Sequence, residues 1–338
     1  TMWEFAPLRI PMIRRLQTLA VSHFVFCFLA LGKSSATCTL LTIYITLFTS
    51  YWPITTAYLV FLFLDRNTPE SGGRRSEWVR NWSLWKWMSD YFPCTLHKTV
   101  DLDPKRNYIF GIHPHGVLCI GSFTHFSTNG SGFSHVFPGF TSYLTMLPFW
   151  FKMPFFRDYV MSGGLTPATR KAIKHTITRP GGGHICCIIP GGAPESLNAR
   201  PGDVVLLLKQ RLGFLKLAIT NGVPLVPVFS FGDHALWEQK PNPPGSLIRR
   251  FQDSSQKWMQ VALPVFHARG IFQYNFGLIP YRRSVHTVVG EPIEVPQNSN
   301  PTSEDLMSLQ EDYINRLRAI FDEHKSKYLP EDCKLIIN

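Results

Sequence analysis

The stretch Asn107-Tyr108-Ile109-Phe110-Gly111-Ile112-His113-Pro114-His115-Gly116 decides the fold class. The apolar run at 108–112 predicts a buried strand, and the two histidines stand where it passes to an apolar helix predicted at 116–126. Working outward, short apolar runs at 185–189, 204–208, 225–229 and 287–289 predict further strands. Amphipathic stretches at 167–178, 213–220 and 304–327 predict the helices between and after them. In the last, Leu306, Leu309, Tyr313, Leu317, Ile320 and Phe321 fall on one stripe, with Thr302 or Ser303 as the cap. This alternation is the pattern of an α/β domain, placed at 101–338.

A histidine at a strand-to-helix junction faces the open end of a sheet, where α/β proteins bind ligands. The helix N-terminus expected beyond Gly116 offers backbone N–H groups to a developing oxyanion. Pro114 fixes one φ and Gly116 permits unusual angles, so the imidazoles of His113 and His115 are held. Polar residues satisfying an ordinary turn are the alternative. A second stretch, Ile188-Ile189-Pro190-Gly191-Gly192-Ala193-Pro194-Glu195-Ser196, also follows a strand. Its glycines allow close backbone approach, and Glu195 is the only carboxylate between Asp158 and Asp203. It either orients a histidine or caps a helix starting near Ser196. The third stretch, Lys209-Gln210-Arg211-Leu212-Gly213-Phe214 and on to Val228, reads as a basic turn, a short helix and a proline-bracketed strand.

Several chemistries are excluded by missing motifs. There is no G-x-S-x-G elbow, H-E-x-x-H, Walker loop or G-x-G-x-x-G, and no Cys/His set at ligand spacing joins His113 and His115 in a metal site. Cys119 falls within the predicted helix, where a thiol is usually inert. The seven cysteines, Cys27, Cys38, Cys94, Cys119, Cys186, Cys187 and Cys333, are an odd number without C-x-x-C spacing, which reads as free thiols in a reducing compartment.

Only 17% of the 338 residues are charged, against roughly 25% for an average soluble protein, while 45% are hydrophobic. That deficit points to a chain partly embedded in a membrane. The net charge of +11 suits an anionic bilayer face or a polyanionic cosubstrate. Nucleic acid is disfavoured, because no dense Lys/Arg stripe or binding module is present. Residues 16–32 and 34–64 carry no formal charge, with Lys33 between them. As one straight helix the second run would span about 46 Å at 1.5 Å per residue, against a hydrocarbon core of ~30 Å. Pro53, after Tyr51 and Trp52, offers a break. Basic residues flank the pair, Arg9, Arg14 and Arg15 before and Arg66, Arg74, Arg75 and Arg80 after. The positive-inside rule then gives a 16–64 membrane hairpin turning at Lys33, with both ends cytosolic, the alternative being a pair of buried helices in a soluble core. Residues 1–15 form a cytosolic segment, and 65–100 a bridge in which Trp78, Trp82 and Trp85 share one helical face, lying on the bilayer or packing on the domain.

These motifs occur together in a known family. The chain resembles the type-2 diacylglycerol acyltransferases through His113–Gly116 in H-P-H-G, Gly191-Gly192-Ala193 with Glu195, the segment 211–228, Val289-Gly290-Glu291-Pro292-Ile293 and Tyr91-Phe92-Pro93. Within that family it is most similar to the acyl-CoA:monoacylglycerol acyltransferases, by Glu4-Phe5-Ala6-Pro7-Leu8, Phe137-Pro138-Gly139-Phe140 and Phe266-His267-Ala268-Arg269-Gly270 on to Phe276-Gly277-Leu278. The resemblance implies a glycerophosphate-acyltransferase-like domain, a mixed sheet flanked by helices, behind an N-terminal membrane-embedded helical hairpin. It also implies an endoplasmic-reticulum enzyme that acylates monoacylglycerol. That wider fold carries H-x-x-x-x-D, but here Leu118 and Ile120 stand five positions after the histidines. Glu195 is therefore the available acid. Ser196-Leu197-Asn198 follow it, without the arginine that would grip a phosphate there, which fits an uncharged acceptor. Pro190 and Pro194 replace an aliphatic and a polar residue, and Asp233-His234 stands where Glu-Asn is usual.

The resulting expectation is direct attack of an acceptor hydroxyl on the acyl-CoA thioester. His115 acts as general base, Glu195 orients its imidazolium, and His113 stands behind it or on the oxyanion side, with the two histidines interchangeable at this point. Pro114, Gly116, Gly191, Gly192, Lys209 and Arg211 line the substrates, and Lys216, Arg282 and Arg283 are further candidates for the CoA phosphates. No cofactor or metal is implied, acyl-CoA being a cosubstrate. The implied partners are a long-chain acyl-CoA, a neutral lipid alcohol and the bilayer, with a homo-oligomer as an option. Diacylglycerol, retinol or a long-chain alcohol are alternative acceptors, and an idle lipid-binding scaffold is the alternative outside enzymology.

Overall fold

The computed structural model describes residues 4–7, 9–240, 242–243, 245–259 and 264–338, and their side chains except at 30–38, 253 and 256–259. The strands in chain order are β1 (Thr95–Lys98), β2 (Tyr108–His113), β3 (Thr141–Met146), β4 (Leu165–Pro167), β5 (His184–Ile188), β6 (Val204–Leu206), β7 (Leu225–Phe231), β8 (Glu238–Gln239), β9 (Phe266–His267), β10 (His286–Val289) and β11 (Leu335–Ile337). Seven of them form a mixed sheet in the order β1-β10-β7-β2-β5-β3-β4, in which only β10 and β7 run antiparallel. The run that decided the fold class lies at its centre. Every residue of β2 is buried, as expected of a strand covered on both faces. The sheet also takes in β1, which lies before residue 101.

The structure moves β6 out of this sheet. It pairs with β11 at the C-terminus instead, so its apolar run closes a two-stranded satellite. The sequence pattern does not mark β3, because Ser142 and Thr145 break its apolar run. Both are nonetheless buried, satisfied by the carbonyls of Phe126 (2.6 Å) and Cys187 (3.0 Å).

Helices cover both faces. Arg170–Ile177, Gly213–Asn221 and Ser303–Tyr328 occupy the predicted places. The last begins with a capping box, in which the Thr302 side chain accepts from the Asp305 N–H (3.1 Å) and Asp305 accepts from the Thr302 N–H (2.9 Å). The helix predicted at 116–126 is replaced by Ile120–Ser122 running into a π turn, Phe123–Ser127. Gly116 (φ +62°) and Cys119 (φ +54°) both take left-handed backbone, which no right-handed helix can include. Leu247–Met259 has no counterpart in the prediction, because its polarity is inverted: Leu247, Ile248 and Phe251 are exposed while Gln252 and Ser255 are buried. A core-facing apolar stripe does not find such a helix.

The N-terminal region differs most from expectation. One helix, Met12–Phe48, continues through position 33, and the chain turns only at residues 49–51, before Trp52–Leu64. The turn proposed at Lys33 is therefore absent: a single lysine does not interrupt helical backbone, whereas Pro53 in the first turn of the second helix starts a new one. The window Met12–Leu29 is long and apolar enough to cross a membrane, and Thr39–Phe48 and Trp52–Leu64 are shorter apolar helical stretches. The first window is also part of the core: Ala20, Val21, Phe24, Val25 and Cys27 are buried, with Phe24 4.8 Å from the Phe123 ring. The Trp bridge divides into Glu77–Arg80 and Ser83–Tyr91 around Trp82, burying Trp85 and leaving Trp78 exposed. Arg80, counted above as a flanking charge, is buried and donates to the carbonyls of Phe126 (3.1 Å) and Gly163 (2.9 Å). The six described cysteines are free thiols; the Cys38 side chain lies outside the described residues.

Candidate active site

Strand alternation turns Ile109, Gly111 and His113 of β2 toward the C-terminal helix. A Cβ on Gly111 would sit 2.0 Å from the Tyr313 Oη, so the glycine is what lets that phenol reach the strand. Tyr313 donates to the Gly111 carbonyl (3.0 Å) and lies 2.9 Å from His113 Nε2. With the phenolic proton committed to the carbonyl, His113 donates from Nε2 and keeps its lone pair on Nδ1. Full burial pushes the pKa of His113 down to about 3, so the ring is neutral. This histidine is packed behind the site.

His115 is the more open of the two. Its Nδ1 is 3.0 Å from the Gly116 carbonyl, which can only accept, so Nδ1 carries the proton and Nε2 the lone pair. Burial lowers its pKa from the ordinary histidine value, which favours the neutral form. Cys119 Sγ is 3.4 Å from both ring nitrogens. Equal distances put the sulfur over the ring instead of along the Nε2 lone pair. Burial first, then the carboxylates of Asp233 and Glu195, hold Cys119 well above the usual thiol range, so it remains protonated.

Glu195 is buried within the short helix Gly192–Ser196, and it does not cap a helix there. Its Oε1 accepts from the His115 backbone N–H at 2.7 Å and its Oε2 from the Leu207 N–H at 2.8 Å. The structure thus joins Glu195 to the main chain of His115, whereas the expected partner was the imidazole. Burial raises its pKa to about 7 against the pull of those two N–H groups and of Arg211. Gly191 makes room for this carboxylate, since a Cβ there would fall 1.9 Å from Oε2, and Gly192 turns the chain at φ +62°. Pro114 is buried beside them.

A second buried acid completes the site. Asp233 Oδ2 accepts from the Gly121 N–H at 2.9 Å, the Ile120 N–H also reaches the carboxylate, and Oδ1 has no partner among the described residues. A Cβ on Gly116 would lie 2.8 Å from that Oδ1. The first N–H groups of the helix after H-P-H-G, expected to receive an oxyanion, are therefore already occupied. Burial raises the pKa of Asp233 to about 7. Sequence reading missed Asp233 and Tyr313; the one signal was the unusual Asp233-His234 pair.

Lys209 and Arg211 are exposed on the segment that Leu207 ties to Glu195, and Arg211 Nη2 is 3.4 Å from the Gly191 carbonyl. Arg282 and Arg283 are engaged elsewhere: Arg282 donates to Gln17 Oε1 (2.7 Å) and stacks over Tyr91, and Arg283 donates to the Ala235 carbonyl (2.6 Å). Among the described residues no three His, Cys, Asp or Glu side chains are grouped to hold a metal ion.

The family model for diacylglycerol acyltransferase matches residues 44–338. The chain belongs to the diacylglycerol acyltransferase family. Over 334 residues it is 54% identical to 2-acylglycerol O-acyltransferase 1 of Bos taurus, covering 98% of each chain. Over 332 residues it is 43% identical to diacylglycerol O-acyltransferase 2 of Danio rerio, covering 98% of this chain and 91% of that one. A solved 1-acyl-sn-glycerophosphate acyltransferase of Thermotoga maritima aligns at 13% identity and TM-score 0.42, covering 94% of this chain and 99% of the other. The protein is an acyltransferase of acylglycerol synthesis, and His115, Glu195, Gly116 and Gly191 lie together beyond the C-terminal ends of the central strands β2 and β5.

Proposed function

We propose that this acyltransferase moves a long-chain acyl group from acyl-CoA to a hydroxyl of monoacylglycerol, giving diacylglycerol. The observation that carries this reading is the 54% identity over 98% of both chains with a 2-acylglycerol O-acyltransferase. Diacylglycerol O-acyltransferase 2 follows at 43%, which makes diacylglycerol the second acceptor to test.

In the proposed step His115 Nε2 takes the hydroxyl proton as the oxygen attacks the thioester carbonyl. The tetrahedral intermediate then expels the CoA thiolate, which receives that proton from the imidazolium. The geometry supports His115 over His113 as the base, because its lone pair sits on a partly exposed ring, whereas His113 is enclosed and tied to Tyr313. Glu195 acts as a positioning residue that pins the backbone from which the base projects. Lys209 and Arg211, exposed on the segment that Leu207 joins to Glu195, are the cations for the phosphates of CoA. The apolar N-terminal helices would anchor the enzyme in the endoplasmic-reticulum membrane, with the sheet on the cytosolic side.

The test supplies membranes containing the expressed protein with labelled acyl-CoA and, in turn, monoacylglycerol, diacylglycerol, retinol and a long-chain alcohol. Labelled diacylglycerol formed from monoacylglycerol in excess of every other product is the expected result. Triacylglycerol as the main product from supplied diacylglycerol would replace the proposed acceptor.

A further inference from the structure

The loop between Arg269 and Ile279 is rigidly closed yet carries its large apolar residues outward. Arg269 and Ile279 exchange two backbone hydrogen bonds of 2.9 Å, and the Ala268 N–H donates to the Gly277 carbonyl (2.7 Å). The tip exposes Ile271 (46%), Phe272 (80%), Phe276 (62%) and Leu278 (51%). Four apolar side chains on one stiff loop are more than scattered surface hydrophobes and call for an apolar medium outside.

The loop's neighbours say which medium. Its outer side pairs with the segment that leads into the first helix: Ala6 N–H donates to the Phe272 carbonyl (2.8 Å), Tyr274 N–H to the Glu4 carbonyl (2.8 Å), and Phe5, itself 71% exposed, bridges Gln273. Arg282, just beyond the loop, is bound to Gln17 in the second turn of that helix. The tip therefore lies level with the start of the Met12–Leu29 window. Exposed Arg9, Arg14 and Arg15 stand at the same level, as basic residues do at an anionic headgroup layer. The helix Leu247–Met259, in the connection that precedes this loop, repeats the same inversion of apolar and polar faces.

We propose that the 269–279 loop, with Phe5, is a second membrane contact, its aromatic tip seated at the headgroup and acyl-chain boundary of the bilayer that the first helix enters. This rests on the proposed seating of that helix in a membrane. The occupant is phospholipid. A contact of this kind sets the height and tilt of the C-terminal ends of β2 and β5 over the lipid from which an apolar acceptor arrives.

The test reconstitutes the full chain in phosphatidylcholine/phosphatidylserine vesicles containing a phosphatidylcholine with a photoactivatable acyl chain. Trypsin after irradiation separates residues 16–33, in the first helix, from residues 270–282, the loop. Lipid adducts on both peptides are the expected result, and a Phe272→Ser/Phe276→Ser variant is expected to lose at least five-fold of the 270–282 adducts with 16–33 unchanged. Adducts on 16–33 without adducts on 270–282, as when a second copy of the chain covers the loop, overturn this proposal and leave the membrane anchor standing. Equal labelling of 270–282 in the variant also overturns it. Labelling of neither peptide removes the membrane seating itself.

Discussion

His115→Ala deletes the partly exposed imidazole lone pair at the C-terminal end of β2. General acid–base assistance contributes about 10²–10⁴-fold, so kcat is expected to fall by at least about a hundredfold with little change in the KM for acyl-CoA. Wild-type turnover in equally expressed membranes would remove His115 from the mechanism. Glu195 makes a different prediction, because it works through backbone. When ionised, both of its oxygens accept N–H groups. As pH falls through about 7 the carboxyl takes a proton, one oxygen turns donor against an N–H, and the His115 segment loosens. The expected kcat/KM profile has an acid limb near 7, and Glu195→Gln removes that limb while lowering activity roughly tenfold at pH 8, as loss of a charge-assisted bond does. Persistence of the limb in the variant excludes Glu195 as its source. The stability sign runs the other way: a carboxyl raised above its ordinary 4.5 stabilises the fold in its protonated form, and that contribution is lost as pH rises from 4.5 through about 7. His113, His115 and Glu195 were legible because each closes an apolar strand or sits in a glycine turn. Tyr313 and Asp233 were not, because what defines them is a contact with Gly111 or Gly121 that no local spacing encodes.

At the scale of elements, the site depends on how closely the C-terminal helix docks on β2. Gly111 is the contact point. Gly111→Ala places a Cβ 2.0 Å from the Tyr313 Oη, and overpacking of this kind typically costs about 1–3 kcal/mol. The variant is expected to melt at lower temperature and to lose turnover, because the displaced phenol releases His113. Gly111→Ala/Tyr313→Phe removes the 2.0 Å contact but leaves the ring Cζ 2.9 Å from the new Cβ, so it should recover part of the lost stability while leaving His113 Nε2 without its partner. Full recovery of both stability and turnover would make the Tyr313 hydroxyl dispensable. The strands of continuous apolar residues, β2, β5 and β7, were legible for the reason they are central, burial on both faces. β3 was hidden by buried hydroxyls that find carbonyl partners, and β6 looked like a sheet strand because apolarity does not say which partner a strand takes. The misplaced helix after H-P-H-G has a conformational cause: two residues with positive φ delay its start to Ile120, and in doing so they bring Gly116 and Gly121 against Asp233.

For the molecule as a whole, the apolar N-terminal helix and the α/β domain are not separable parts. The composition separates an apolar N-terminus from an α/β domain, and a low charge fraction cannot reveal that one face of the first helix is core. Phe24 is fully buried against Phe28 and Phe123, and Phe123 sits in the π turn that follows the H-P-H-G segment. Phe26, two residues on, is 56% exposed on the opposite side. Truncating a buried phenylalanine costs about 3–5 kcal/mol through lost burial and the cavity left behind, whereas an exposed position of the same helix should change stability by no more than about 0.5 kcal/mol. Phe24→Ala is therefore expected to lower the melting temperature of the purified enzyme and to reduce activity through Phe123, while Phe26→Ala leaves both near wild type in detergent. Equal, small effects of the two would mean that the helix is only a tether, with the domain folding independently of it.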